Sequence, residues 1–178
     1  MYYQSLKDIE ICLSNSNRTE DKMIAKYVCE LDEWLISRPT RYKNRLNPLQ
    51  FSFDNNISIE IVEYLFELGL EKNLFEVYYE AETDFKEPLG LITQDNFDEL
   101  IEKGNIKIEH PFKDEICLIN INNVEILFSL KERPTKILDF KNFPSKKAIA
   151  PAYTGDKAGE SLREALLNRG TRKWIKKL

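Results

Sequence analysis

The groups in this sequence that could do chemistry are one histidine, three cysteines and 30 carboxylates. Nucleophilic catalysis needs a nucleophile within hydrogen-bond reach of a base, most often a histidine. His110 immediately precedes Pro111 at the end of an alternating apolar stretch, which predicts a satisfied or exposed turn histidine. A Cys117–His110 dyad is compatible with residue type alone. However, Cys117 sits inside an apolar strand-like run, where a buried, inert thiol is the expectation. Asp95, Asp98, Glu99 and Glu102 fall at helical spacing and predict a solvated acidic face. A metal-dependent nuclease would need carboxylates converging from separate elements, and no spacing of that sort stands out. The six glycines never cluster into a phosphate-cradling loop. The expectation is a non-catalytic chain that needs neither cofactor nor metal.

Charge is more informative than nucleophiles. The formal net charge of −4 averages over unlike segments. Residues 54–130 carry 18 acidic and 5 basic side chains, whereas residues 131–178 carry 5 acidic and 13 basic ones. A basic tail on an acidic body predicts either fold-back or a second acidic partner. Within the tail, Arg172, Lys173, Lys176 and Lys177 interleave with Trp174, Ile175 and Leu178. On a helix Trp174 and Leu178 would lie one turn apart, as an aromatic and aliphatic anchor with a cationic rim. The same cations could instead contact phosphates while Trp174 stacks on a base. A second basic cluster, Arg38, Arg41, Lys43 and Arg45, would extend such a track.

These groups must be positioned by a chain of 178 residues, 42% hydrophobic and 31% charged, which suits one ordinary globular domain with an appendage. Apolar runs of four residues at most predict no membrane span, and Met1-Tyr2-Tyr3-Gln4 opens no signal sequence, so the expected location is cytoplasmic. Cys12, Cys29 and Cys117, scattered and odd in number, predict buried free thiols. Leu6, Ile9, Cys12 and Leu13 suit a helix or a short strand, with helix favoured. Asn17-Arg18-Thr19-Glu20 predicts the start of a helix carrying Met23, Ile24, Tyr27, Val28, Leu31, Trp34 and Leu35. Residues 38–56 lack a sustained period and predict a long loop. A helix capped by Ser58 should stop at Gly69, after which Phe75 to Ala81 alternates as a strand. A turn around Pro88, a short strand, a helix capped by Asp95 and closed by Gly104, and three further runs to Leu130 complete one small antiparallel sheet. Pro134, Pro144 and Pro151 then punctuate a tether that ends in a short helix over about 156–168. The expected architecture is α+β: an N-terminal helical segment and loop (1–56), a helix with a ribbon-like sheet (57–131), and an extended tail with a terminal helix (132–178).

The stretch Val77 to Gly90, followed by Ile108 to Glu115, resembles the two knuckles of a zinc ribbon whose ligands have been replaced. Each knuckle of such a ribbon supplies a C-x-x-C pair, because four thiolates satisfy tetrahedral zinc. Here the matching places hold Ala81 and Asp84, then His110 and Lys113, so zinc is not expected and only the hairpin geometry would survive. A helix-then-ribbon chain of this size is similar to accessory subunits of bacterial anti-phage defence operons, such as the middle components of ABC-ATPase three-component systems. That resemblance implies a non-catalytic adaptor. Its partners would be larger protein subunits: a chromosome-maintenance-like or ABC ATPase, and an effector. The expected partner-binding residues are Arg172, Lys173, Trp174, Ile175 and Leu178. The alternative is a nucleic-acid-binding module using Arg38, Arg41, Lys43, Arg45, Arg172, Lys173, Lys176 and Lys177.

Overall fold

The computed structural model describes residues 1–136, 148–167 and 169, and its architecture is α+β. In chain order come α1 (Gln4–Ser14), α2 (Thr19–Ser37), α3 (Pro48–Asn55), α4 (Ile59–Glu71), β1 (Phe75–Glu82), β2 (Pro88–Ile92), α5 (Gln94–Lys103), β3 (Asn105–Glu109), β4 (Ile116–Asn120), β5 (Val124–Leu130) and α6 (Glu160–Leu166). The chain divides into two compact units. The first comprises 1–76 and 128–151, and the second 77–127 and 152–178, so the boundaries fall inside β1 and β5.

In the first unit, α1 packs on α2 and α4, and α3 on α4. The core is built from the apolar stripes of these helices: Leu6, Ile9 and Leu13; Val28, Leu31 and Leu35; Phe51; Val62, Leu65 and Phe66. Residues 38–56 are more ordered than their lack of period suggests. A 3-10 turn spans Thr40–Tyr42, and Asn47 caps α3 by accepting from the Leu49 amide at 2.8 Å. Pro48, which looks like a breaker, occupies the first helical position, where its missing N–H costs nothing. Helix α4 likewise runs two residues past the expected stop at Gly69. Asn73, with φ 58°, supplies the left-handed residue of the exit, and the Leu74 amide donates to the Gly69 carbonyl at 2.8 Å. What Gly69 provides is closeness: a Cβ there would lie 2.5 Å from the Phe75 ring.

The chain start is held by carboxylates. Asp32, almost fully buried, accepts from the Tyr2 and Tyr3 amides at 2.8–3.0 Å, and Glu132 accepts from the Gln4 and Ser5 amides at 2.6 and 3.1 Å, capping α1. Trp34 donates its indole N–H to Asp54 at 2.8 Å and packs on Phe51.

Strands β2–β1–β5 form one sheet and the β3–β4 hairpin, in the second unit, forms another, where the sequence predicted a single sheet. The separation is made by residues 120–123. Asn123 is buried, accepts from the Asn120 amide at 2.8 Å and donates to Asp84 at 2.9 Å, fixing a 3-10 turn that redirects the chain between β4 and β5. Helix α5 is capped by Thr93 rather than Asp95, which lies in its first turn, and Gly104 closes it with φ 80°. Its Phe97 stacks on Tyr79 of β1 at 3.9 Å.

The thiols are free, but none of the three is buried as expected: Cys12 and Cys29 are exposed and Cys117 is half-buried. An amphipathic neighbourhood does not say which face a residue takes. Part of the tail also differs from a bare tether. The Ala150 amide donates to Gln50 in the first unit at 2.8 Å. In the second unit, residues 153–155 bond to β5, with the Ile126 amide donating to Tyr153 and the Gly155 amide to Val124.

Two stability outcomes are expected. Gly69→Ala gains helix propensity worth about 0.8 kcal/mol but forces a methyl into Phe75, an overpacking cost of about 1–3 kcal/mol, so urea unfolding should show net destabilisation. Asp32→Ala leaves the buried Tyr3 amide without its acceptor and should lower stability by about 1–3 kcal/mol in the same assay.

Candidate functional site

The strongest concentration of exposed apolar and clustered polar side chains lies on two turns of the second unit. The β1–β2 turn is closed by the Thr83 amide donating to the Glu87 carbonyl and the Lys86 amide donating to the Thr83 carbonyl, both at 2.9 Å. Lys86 adopts φ 65° and its ammonium pairs with Glu82. This tight turn leaves Phe85 at its tip, 89% exposed. The β3–β4 turn is closed by the His110 amide donating to the Glu115 carbonyl at 3.0 Å. Here the Phe112 amide donates to His110 Nδ1 at 3.1 Å, and Phe112 is 86% exposed.

Polar side chains tie the two turns together. Lys113 Nζ donates to Glu87 Oε2 at 2.5 Å and lies 3.7 Å from Glu115. His110 Nε2 lies 3.5 Å from the same Glu87 oxygen. The Lys113 hydrogen bond and charge hold the Glu87 carboxyl below its ordinary range, and the Glu87 hydrogen bond raises Lys113 above its own. Beyond the second turn, Ile116 and Leu118 are exposed along one face of β4, opposite Glu109 and Lys107 of β3. The two turns carry Glu82, Asp84, Glu87, Asp114 and Glu115 against Lys86 and Lys113, so the exposed rings are flanked by an acidic excess.

Glu87, His110 and Glu115 bring ligand atoms within 4.8 Å of one another, and they are the only such group among the described residues. The arrangement already contains its cation, because Lys113 sits on Glu87. The histidine is also turned the wrong way for a metal. Since Nδ1 accepts the Phe112 amide, the neutral ring carries its proton on Nε2, the atom facing Glu87, and offers no lone pair there.

The two turns meet at Glu87, which is not one of the positions the ribbon reading matched. Ala81 is buried in β1 and Asp84 accepts from Asn123. Glu87, three residues beyond Asp84, makes the contact with His110 and Lys113. Sequence reasoning missed Glu87, Phe85 and Phe112 as site residues; a lone exposed aromatic at each predicted turn tip was the available signal. The acidic group on α5 is separate: Glu99 pairs with Lys103, and Asp98 accepts from Gln94.

The basic loop belongs to the first unit and its members have unlike surroundings. Arg38 pairs with Asp54 and lies over the Trp34 ring at 4.2 Å. Arg41 lies over Tyr42 at 4.7 Å, Lys43 is half-buried beside Tyr3, and Arg45 is exposed. Arg172, Lys173, Trp174, Ile175, Lys176, Lys177 and Leu178 lie outside the described residues. Among the described residues no helix is long and apolar enough to cross a membrane. A scan of protein-family models and searches of curated proteins and solved structures find no match to this chain.

If Lys113 is what depresses Glu87, Lys113→Met should return the Glu87 carboxyl toward its ordinary midpoint in an NMR titration. The sign of the linkage follows: the contact contributes above the ordinary carboxylate range and is lost as pH falls through the lowered value.

Proposed function

We propose that the chain is a non-catalytic accessory subunit of a larger bacterial protein assembly, docking through the paired turns of its second unit. An ATPase-based anti-phage defence complex is the kind of assembly that the ribbon resemblance implies. The observation that carries the docking reading is the pair of nearly fully exposed phenyl rings, Phe85 and Phe112, on turns joined by the Glu87–Lys113 pair. Aromatic anchors contribute most of the energy at protein interfaces, and rigid tips lose little entropy when they bind. The acidic excess commits the partner's chemistry: an apolar pocket with a basic rim.

The nucleic-acid reading draws less support. Of the four loop cations, Arg38 is engaged by Asp54, which removes it from a continuous phosphate track.

The test uses the full chain. A protein recovered with it from the native host at high salt after nuclease treatment is purified and rebound in isolation. The double variant Phe85→Ser/Phe112→Ser should weaken that rebinding roughly thirtyfold or more, the loss of an anchor worth about 2 kcal/mol, with an unchanged unfolding midpoint. Equal affinity of the variant would sink the turn-docking reading, and so would recovery of salt-sensitive nucleic acid alone.

A further inference from the structure

In the first unit a cavity of about 370 Å³ has Ile36, Leu130 and Pro134 and also Lys43, Lys131 and Arg133 in its lining. Tyr3, Thr40, Asn44 and Glu132 complete the lining. Three cations face one carboxylate, and that carboxylate is already engaged: both Glu132 oxygens accept amide hydrogens from the start of α1. None of the three cations has a carboxylate partner among the described residues. Lys43 is the critical member. It is half-buried, donates only to the Tyr3 hydroxyl at 3.2 Å, and desolvation lowers its pKa. An ammonium taken partly out of water with no carboxylate partner, in a cavity whose lining carries two further cations, is electrostatically incomplete, and an anion in the cavity would complete it.

We propose that this cavity binds a small phosphomonoester, with Lys43, Lys131 and Arg133 around the phosphoryl group and Ile36, Leu130 and Pro134 against the organic part. A dianion matches the lining's excess of two positive charges, which a monocarboxylate would leave half-compensated. The guanidinium of Arg133 offers the paired donors that suit phosphoryl oxygens, and Thr40 adds a hydroxyl. The volume lies in the range of small-molecule sites and leaves room for more than inorganic phosphate. This site is separate from the docking turns and does not depend on the accessory-subunit reading.

The probe is phenyl phosphate, titrated calorimetrically into the full-length chain. Saturable binding with a Kd of about 1 mM or tighter is expected. Lys43→Met should weaken it about tenfold or more, the scale of one charge-assisted hydrogen bond. Because Lys43 is half-buried, the double variant Lys131→Met/Arg133→Met, at exposed positions, provides an independent arm with the same expected loss, and Lys103→Met on α5 should change nothing. A 5′-phosphorylated oligonucleotide and its unphosphorylated form separate the two sources of phosphate. Phenyl phosphate binding that the oligonucleotides do not displace supports a small ligand. The proposal is overturned by absence of saturation, by equal affinity in both cavity variants, or by displacement with the unphosphorylated oligonucleotide.

Discussion

The first unit depends on three phenyl rings meeting. Phe66 of α4 stacks on Phe75 of β1 at 4.8 Å, and Phe128 of β5 meets Phe66 edge-on at 4.9 Å and Phe75 at 6.1 Å. All three are buried, and each ring contributes roughly 1.5–3 kcal/mol of burial, with up to about 1.5 more for the aromatic pairing. The contact joins residues more than fifty positions apart and sets what surrounds it. Helix α4 must let the Phe75 ring approach its backbone, which is why Gly69 stands where it does. The exit from α4 must reverse within a few residues, which Asn73 accomplishes in the left-handed region. With Phe128 in place, the Leu46 and Phe128 backbones exchange hydrogen bonds at 2.8 and 3.1 Å, and the Leu130 and Lys131 amides reach Lys43 and Leu74. The cavity beside Lys43 is therefore a consequence of how the aromatic cluster places the end of β5.

What could be read in the sequence follows the strength of the local signal. Helices α2 and α4 carry long apolar stripes whose burial outweighs any detail at their ends, and strand β5 alternates clearly enough to be seen unaided. Helix α3 is only eight residues long and starts on a proline, so its stabilisation comes from a cap and from burial of Phe51, neither of which has a period. The partition into two sheets turns on one buried amide, Asn123, which looks like any other turn residue until its partners are known. The cysteines mark the same limit. Residue type and neighbours predict burial, yet a helix position near the edge of the apolar stripe, as at Cys12 and Cys29, is decided by packing between helices.

The candidate site brings two turns together through side chains of their own. A zinc ribbon fixes two knuckles through one ion, whereas here each turn is closed by its own backbone hydrogen bonds and the cross-link is a lysine ammonium between glutamates. An exposed ion pair is a weak clamp compared with a metal, so most of the geometry must come from within each turn. Two features supply it: the left-handed Lys86 in one turn, and the ring of His110 in the other, buried to 4% side-chain exposure and bonded to the Phe112 amide. The histidine identified as the one candidate base thus acts as a spacer that aims an aromatic tip.

The charge of sequence segments does not locate the cavity, for a reason that is general. Lys43 belongs by sequence to a nearly neutral stretch, and Lys131 and Arg133 to the start of a basic one. The fold brings them to one concave surface, while the intervening Glu132 turns its charge onto the amides of α1. The quantity that governs ligand choice is the charge left uncompensated at a place, after internal partners have been subtracted. By that measure Arg38, although part of the same basic loop, contributes little because Asp54 neutralises it, and Lys43 contributes most because it is desolvated with only a phenol for company. Ion pairs that look like stabilisers are thus also selectors: by engaging some cations and leaving others open, they determine where on the first unit an anion finds a site.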